Sequence, residues 1–505
     1  MADLESNAQS APEGNTEHQG SCAPANGKHN DCEADASGIK LFVPEGVRYN
    51  CQGCGRCCSG WSVGMTEEDY GRIKDIDWQS LHPELAGKEL FFHREEEFKA
   101  GLAGHPHSTK PRADGSCPFL INKLCFIHGH LGEDQKPVTC RLFPYSFVET
   151  PSGVYTGVVY NSMAAAKNQG DLLTDQKDAL LDYLALTRKY ATALNKTAAA
   201  MEVKDKPKSL ETGAQVDAPV ESNVPFQTVE LTLGTVVTWE EFLEVDNKLM
   251  DLMLNRKDLN IFQVLPAGSE ILQKAIRLKR AGSPMTDLRD FDPVVASDAD
   301  MTPGAVEEMT LRTMFYRFFI YPMIRVDEKG LWQMQRRNIL NPVNAFMVAR
   351  SFSRYTFSAL GAILFKHAKV PGAGNMNLEA AAKKHFEPLS KELDDYFKRW
   401  LYLKLFAKTY FGPAAAGFGV ASGYNCLMAS IIAVMIFAKC CATSRKEKAL
   451  NIDDIYEAYW RLDRELLTMG QVSKQESVAF NFAFATPRLF HKMLFELQQG
   501  FKGVS

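Results

Sequence analysis

Seven cysteines, Cys51, Cys54, Cys57, Cys58, Cys117, Cys125 and Cys140, fall between residues 51 and 140 of a 505-residue chain. Inert core cysteines do not gather at that density, so this stretch has to fold around its sulfurs. The first residues, MADLESNAQSAPEGN, lack a basic segment followed by an apolar one, so no secretory signal is read. The expectation is a cytoplasmic protein with reduced thiols, and clustered reduced thiols favour a metal over disulfides. A thioredoxin-like role for Cys51 and Cys54 would need a strand before them and a helix after. The glycine-rich flanks argue against it.

The spacing sharpens this. Cys51-x2-Cys54-x2-Cys57-Cys58 places four thiols in eight residues, with Gly53, Gly55 and Gly60 between and after them. A C-x2-C step lets two thiolates wrap one ion, and the glycines relieve the tight backbone that this requires. Adjacent Cys57 and Cys58 project apart, so both can ligate only in a strongly bent loop or at two neighbouring centres. Cys117, Cys125 and Cys140 follow beside Pro118, Phe119, Phe126 and Leu142, a dry shell for a metal–thiolate site. Soft thiolates select zinc, copper(I) or iron–sulfur clusters. Four or more cysteines suit tetrahedral zinc or a 4Fe–4S cluster, and spacing does not separate the two. The order fits neither a two-pair zinc ribbon nor the bacterial ferredoxin run.

The motifs CQGCGRCC, CPFL, Cys125-x-Ile127-His128 and PVTCRLFP resemble the YkgJ-type cysteine-cluster proteins, zinc- or iron-chelating domains. They also resemble the related flagellin lysine-N-methylase (FliB) group, in which such a cluster precedes a long helical region. The motif match spans roughly residues 46–165. It implies that the seven cysteines are the metal ligands. The family commonly carries a further cysteine after the following strand, where this chain has Asn161-Ser162-Met163. An eighth thiolate is therefore missing, and a second site, if built, is incomplete or partly solvent-ligated. The resemblance also implies S-adenosylmethionine as a cofactor and methyl transfer to a lysine of a protein substrate such as flagellin. No G-x-G-x-x-G follows a strand; Gly372-Ala373-Gly374-Asn375 is the nearest piece. A donor would need a non-Rossmann pocket, and the catalytic residues are not read.

His105, His107, His128 and His130 sit among the later cysteines and are candidates for the missing ligand, though surface or hydrogen-bonded roles are favoured. Arg141 beside Cys140 could offset thiolate charge or form an ordinary ion pair. Arg312, Arg317, Arg336, Arg337, Arg350 and Arg354 punctuate aromatic helical patterns and read mainly as snorkelling side chains. Ser-His-Asp, H-E-x-x-H and phosphate-loop patterns are absent, which excludes the familiar hydrolases and nucleotide triphosphatases.

Lysine plus arginine total 57 against 61 acidic residues, a net charge of -4. Without a basic footprint nucleic acid is not an expected partner. Residues 1–38 are polar and are expected to be disordered. Residues 39–165 form the cysteine-cluster unit, with Val154–Tyr160 the best strand. A helix is expected over 166–201, a flexible linker over 202–225, and an α-helical domain over 226–505. Within that domain Thr238-x-x-Glu241 is a capping box, and helices are expected at 305–321, 342–368, 390–410, 425–443, 452–469 and 475–499. The uncharged run 411–438 reads as a buried core helix rather than a membrane span. The fold class is mainly α: a loop-rich metal-binding unit packed on a large helical body.

Overall fold

The computed structural model describes residues 38–59, 62–99, 103–201, 226–293, 364–415, 417–468 and 488–501, with Arg312, Thr313, Phe315, Tyr316, Leu360, Gly361 and Phe484. Outside them lie residues 1–37 with Cys22 and Cys32, the 202–225 linker, most of 305–321, all of 342–359, most of 475–487, and Arg317, Arg336, Arg337, Arg350 and Arg354. Helices account for 54% of what is described.

The cysteine-cluster unit is assembled from short pieces. In chain order these are β1 (Leu41–Phe42), β2 (Gly64–Met65), α1 (Glu67–Ile73), α2 (Trp78–Leu81), β3 (Phe91–His93), α3 (Glu95–Lys99), β4 (His107–Thr109), β5 (Leu120–Ile121) and β6 (Leu124–Cys125). There follow α4 (Phe126–Leu131), α5 (Val138–Leu142), β7 (Tyr145–Thr150), β8 (Gly153–Val158), α6 (Met163–Ala166) and the long α7 (Lys177–Ala200). β7 and β8 form a hairpin, and β1 adds to β8 in parallel. The β-branched and aromatic residues Val154, Tyr155 and Thr156 suit a buried strand, and the pairing ends at Val158 opposite Tyr145. A second sheet has the order β2–β4–β3. Beside the second sheet lies a small core of Met65, Ile73, Trp78, Phe119, Phe126 and neighbours, against which Cys117 and Cys125 pack. The loops carrying Cys117 and Cys125 thus rest on one modest apolar cluster.

Beyond residue 226 come β9 (Thr228–Thr232), β10 (Thr235–Thr238), α8 (Trp239–Asn255), α9 (Ile261–Ala281), β11 (His367–Val370), β12 (Gly374–Asn377), α10 (Leu378–Lys383), α11 (Lys391–Phe406), α12 (Val420–Ser444), α13 (Ile452–Thr468) and α14 (Arg488–Gln499). The Thr238 capping box forms as expected, with the Thr238 hydroxyl and Glu241 carboxylate each accepting the other's backbone N–H. It starts a helix that buries Trp239, Phe242, Val245, Leu249 and Met250, a 3–4 spacing that lays one apolar stripe on the core.

Three features depart from the expected run of helices. The hairpins β9–β10 and β11–β12 interrupt it. In the first, β-branched residues flank a Leu233-Gly234 turn. In the second, Gly372-Ala373-Gly374 turns the chain where a helix was expected through residue 368. The third is α9, not anticipated around its internal Pro266; Asn260 and Gln263 cap it reciprocally, and its buried face carries it past the proline.

α12 is buried along nearly its whole length. Among the described residues it is the one helix long and apolar enough to cross a membrane, and 94% of its most apolar window is covered by protein.

The sheet of β1, β8 and β7 and the helical body share one continuous core from Leu41 to Phe501. Polar contacts pin the seam. Buried Asp463 on α13 accepts the Tyr160 N–H at 2.6 Å, the Trp400 indole N–H at 3.0 Å and the Lys404 ammonium at 3.1 Å. Arg399 on α11 donates to the Tyr160 hydroxyl at 2.9 Å and the Ala166 carbonyl at 3.0 Å. Lys408 lies 4.4 Å from the centre of the Tyr155 ring on β8.

Candidate metal centre

The loop carrying the first four cysteines is clamped at its base. The Tyr49 and Asn50 amides donate to the Asp171 and Gln169 carbonyls at 3.0 and 2.9 Å. Gly53 and Gly55, at φ 61° and 69°, turn the chain through the left-handed region, where a side chain would be strained. The loop closes on itself through Cys58 N–H to Gly55 carbonyl at 3.2 Å, and the Cys117 N–H then donates to the Cys58 carbonyl at 2.9 Å. That last bond carries the second cysteine segment onto the first across their long separation in sequence.

The remaining cysteine positions follow from local structure. Asn122 and Lys123, both at positive φ, make the two-residue turn between β5 and β6, the geometry that a short hairpin demands. This sets Cys125 at the head of α4, where the nearby His128 and Ile127 amides favour its thiolate against the larger effect of burial. Cys140 sits in α5, whose first amide, that of Val138, is held by buried Asp69 of α1 at 3.2 Å.

The thiols form one connected group that hinges on the adjacent pair Cys57–Cys58. Cys58, Cys117, Cys125 and Cys140 lie close enough that every pair interacts electrostatically. Burial is the main force on three of them. It pushes the Cys117 thiol up to about 12, raises Cys125, and raises Cys140 well above the ordinary thiol range. Cys57 joins this group to Cys54. It hydrogen-bonds to Cys54 as well as to Cys58, which lowers Cys54 to about 5 and lowers Cys58, while Cys57 itself is raised. Cys51 and Cys57 both act on the Tyr49 phenol, which burial raises first. Cys51 and Cys54 are exposed; the other five are half-buried.

Ser162, in the segment where an eighth thiolate is missing, hydrogen-bonds to Tyr49 and caps α6. Next to it the Asn161 side-chain oxygen is buried with no hydrogen-bond partner. This segment therefore stands at the phenol that Cys51 and Cys57 share, with an unused oxygen donor.

The histidines do not join the thiols. The His105 ring bonds to the Tyr190 hydroxyl, and His107 lies on β4 under Tyr70. His130 stacks on Phe126 at 3.8 Å, and the side chain of His128 is exposed. Arg141 forms an ion pair with Asp134 at 2.9 Å. Cys426, Cys440 and Cys441 are buried small residues along α12. Burial raises the thiols of all three to about 12. Beside Cys54 a cleft of about 560 Å³ opens between the loop and α13, lined among others by Arg56, Arg112, Lys123 and Trp460. The Arg56 guanidinium lies 5.0 Å from the Trp460 ring and pairs with Glu457. Sequence reasoning did not single out this cleft, whose walls come from four separated segments.

The donor set fits a soft metal. Thiols held this close repel one another as thiolates and lose their protons when a cation shares the charge. Fold and site together define a thiolate metal-binding unit on a helical body. Comparison with known proteins agrees: residues 50–169 match the family model CxxCxxCC, described as "Putative zinc- or iron-chelating domain". An uncharacterized protein of Methanocaldococcus jannaschii is 31% identical over 104 residues, 20% of this chain and 31% of the relative. The match thus spans about a third of that relative's length. No solved structure matches the chain at a significant level.

Proposed function

We propose that the protein holds metal at two adjacent thiolate centres. One is a complete four-cysteine site of Cys58, Cys117, Cys125 and Cys140. The other is a more accessible site of Cys51, Cys54 and Cys57, completed by solvent or by the Asn161 oxygen. The observation that carries this reading is the pattern of thiol contacts: Cys117, Cys125 and Cys140 interact with Cys58, whereas Cys57 also bonds to Cys54 and shares the Tyr49 phenol with Cys51. Four thiolates suit zinc or a 4Fe–4S cluster, and three with an open position suit either ion type in a reactive role. Anaerobic purification followed by metal analysis and visible absorption decides between them. Zinc gives no visible band, a cluster gives a broad brown one, and a folded protein without metal refutes the proposal.

A second reading is a lysine N-methyltransferase using S-adenosylmethionine. The cleft beside Cys54 supports it, being of a size that takes a small-molecule donor. Its arginines and lysine suit the donor's carboxylate, and Trp460 offers a face for an adenine ring. In that reaction the donor's S–CH₃ bond breaks as the neutral lysine amine attacks, and the amine's proton leaves to solvent. Calorimetric titration of S-adenosylmethionine into the metal-loaded protein tests it; absence of heat removes this reading and leaves the metal-binding one standing.

A further inference from the structure

A group of metal-ligating side chains lies apart from the cysteines in sequence and on different elements. His93 on β3 and His107 on β4 are direct partners in the antiparallel register, so their side chains rise from the same face of that sheet. Glu95 opens α3, two residues after His93. One ligand atom from each of His93, Glu95 and His107 lies within 4.8 Å of the other two. That spacing is compatible with three ligands closing on a single first-row ion, whose bonds to imidazole and carboxylate run about 2.0–2.2 Å.

An independent observation points the same way. His107 is only 2% exposed, and its Nδ1 has no hydrogen-bond partner. A buried ring nitrogen left unused is costly unless something else takes it. The Glu67 carboxylate stands 3.0 Å from Nε2, and a ligating histidine gives its second ring N–H to such a carboxylate. The rings are also held in place. Tyr70 stacks on His107 at 4.2 Å and meets His93 edge-on at 5.2 Å. Glu67 and Tyr70 both belong to α1, whose start is fixed by the reciprocal Thr66–Asp69 cap.

We propose that His93, His107 and Glu95 form a second kind of metal site, a two-histidine, one-carboxylate site for a divalent first-row transition ion. The donors are nitrogen and oxygen, so the site prefers zinc, iron(II), nickel or cobalt in a role distinct from that of the soft thiolate centres. His93 is exposed while His107 is buried, which leaves one side of a bound ion open to solvent or to a small ligand.

The test uses the full chain with its thiolate centres already loaded. Equilibrium dialysis against cobalt(II) is followed by metal counting and by X-ray absorption at the cobalt edge. The wild-type protein is expected to take up one cobalt per chain, with imidazole and oxygen scattering and no sulfur. His93→Ala and Glu95→Gln alter accessible side chains, and each should weaken that uptake at least tenfold while leaving the thiolate-bound metal unchanged. Far-UV circular dichroism confirms that both variants fold. Cobalt bound through sulfur, or uptake that both variants retain, overturns the proposal without touching the cysteine centres.

Discussion

Lys408 and Asp246 make a fully buried ion pair at 2.9 Å, both side chains at 0% exposure. The pair stands where α8, the end of α11 and β8 meet. The ammonium also donates to the Leu405 and Phe406 carbonyls at 3.1 and 3.0 Å. Desolvation lowers the Lys408 pKa, and the Asp246 charge opposes that fall. Removing the lysine by Lys408→Met keeps the apolar stem but strands the carboxylate in the core. Breaking a buried pair from one side costs about 3–5 kcal/mol, whereas replacing both partners by apolar groups is near neutral or stabilising. Lys408→Met and Asp246→Leu should therefore each lose about 3–5 kcal/mol. The double variant should recover most of that, with a coupling above about 2 kcal/mol. Urea unfolding followed by far-UV circular dichroism measures all four corners of the cycle. A Lys408→Met loss below about 1 kcal/mol, or a double variant as unstable as the sum of the singles, would refute the argument. Because Lys408 also caps the Tyr155 ring, the single variant should loosen the sheet against α11. Retained metal in that variant would show that the thiolate unit does not depend on the seam.

Cys58→Ser should remove the metal of the four-cysteine set and spare the other, while Cys51→Ser should do the reverse; metal analysis of each variant reads this directly. At Gly170, φ is 109° and an added Cβ would lie 2.3 Å from the Asn50 nitrogen. Gly170→Ala should thus cost about 1–3 kcal/mol and speed alkylation of Cys51, measured by mass spectrometry of the labelled thiol. His491 on α14 is lowered to about 4 by burial, and its Nε2 has no hydrogen-bond partner. The unfolded chain binds this proton first, so stability should be undiminished above about pH 6.5 and fall from there towards pH 4, by at most about 3 kcal/mol. His491→Leu should flatten that part of the stability profile in denaturation curves taken across the range.

The cysteine density identified the metal-binding segment because sulfur chemistry needs no knowledge of the fold. The Thr238 cap and the apolar stripe of α8 were likewise legible, both being encoded within one or two helical turns. What the sequence hid were relations between distant positions. The hairpin β11–β12 looked like the end of a helix, since nothing local in Leu360–Lys369 forbids one; the turn at Gly372 and Gly374 decides it. His93 and His107 became a pair only through the register of β3 against β4, which is set by strand pairing that no spacing reports.

The division of the thiols was hidden for the same reason. In the sequence Cys57 and Cys58 are equivalent neighbours; in the fold their thiols bond to each other and differ in what else each meets. Cys58 gains its destination from the bond between its carbonyl and the Cys117 amide. Cys57 gains its own from the Cys54 thiol and the Tyr49 phenol. That phenol is held by Ser162, beside the Asn161 oxygen that no group in the fold uses. On the proposed two-centre reading, the replaced ligand position belongs with Cys51, Cys54 and Cys57 and not with the quartet. A protein that needed its metals only for folding would gain nothing by leaving the solvent-facing centre one thiolate short. An open coordination position next to the cleft lined by Arg56 and Trp460 is where an exogenous ligand would reach metal. If this reasoning holds, Asn161→Cys should close the exposed centre: metal retention under chelator should rise there while the quartet is unaffected. Equal chelator sensitivity of Asn161→Cys and the wild type would place the missing ligand elsewhere.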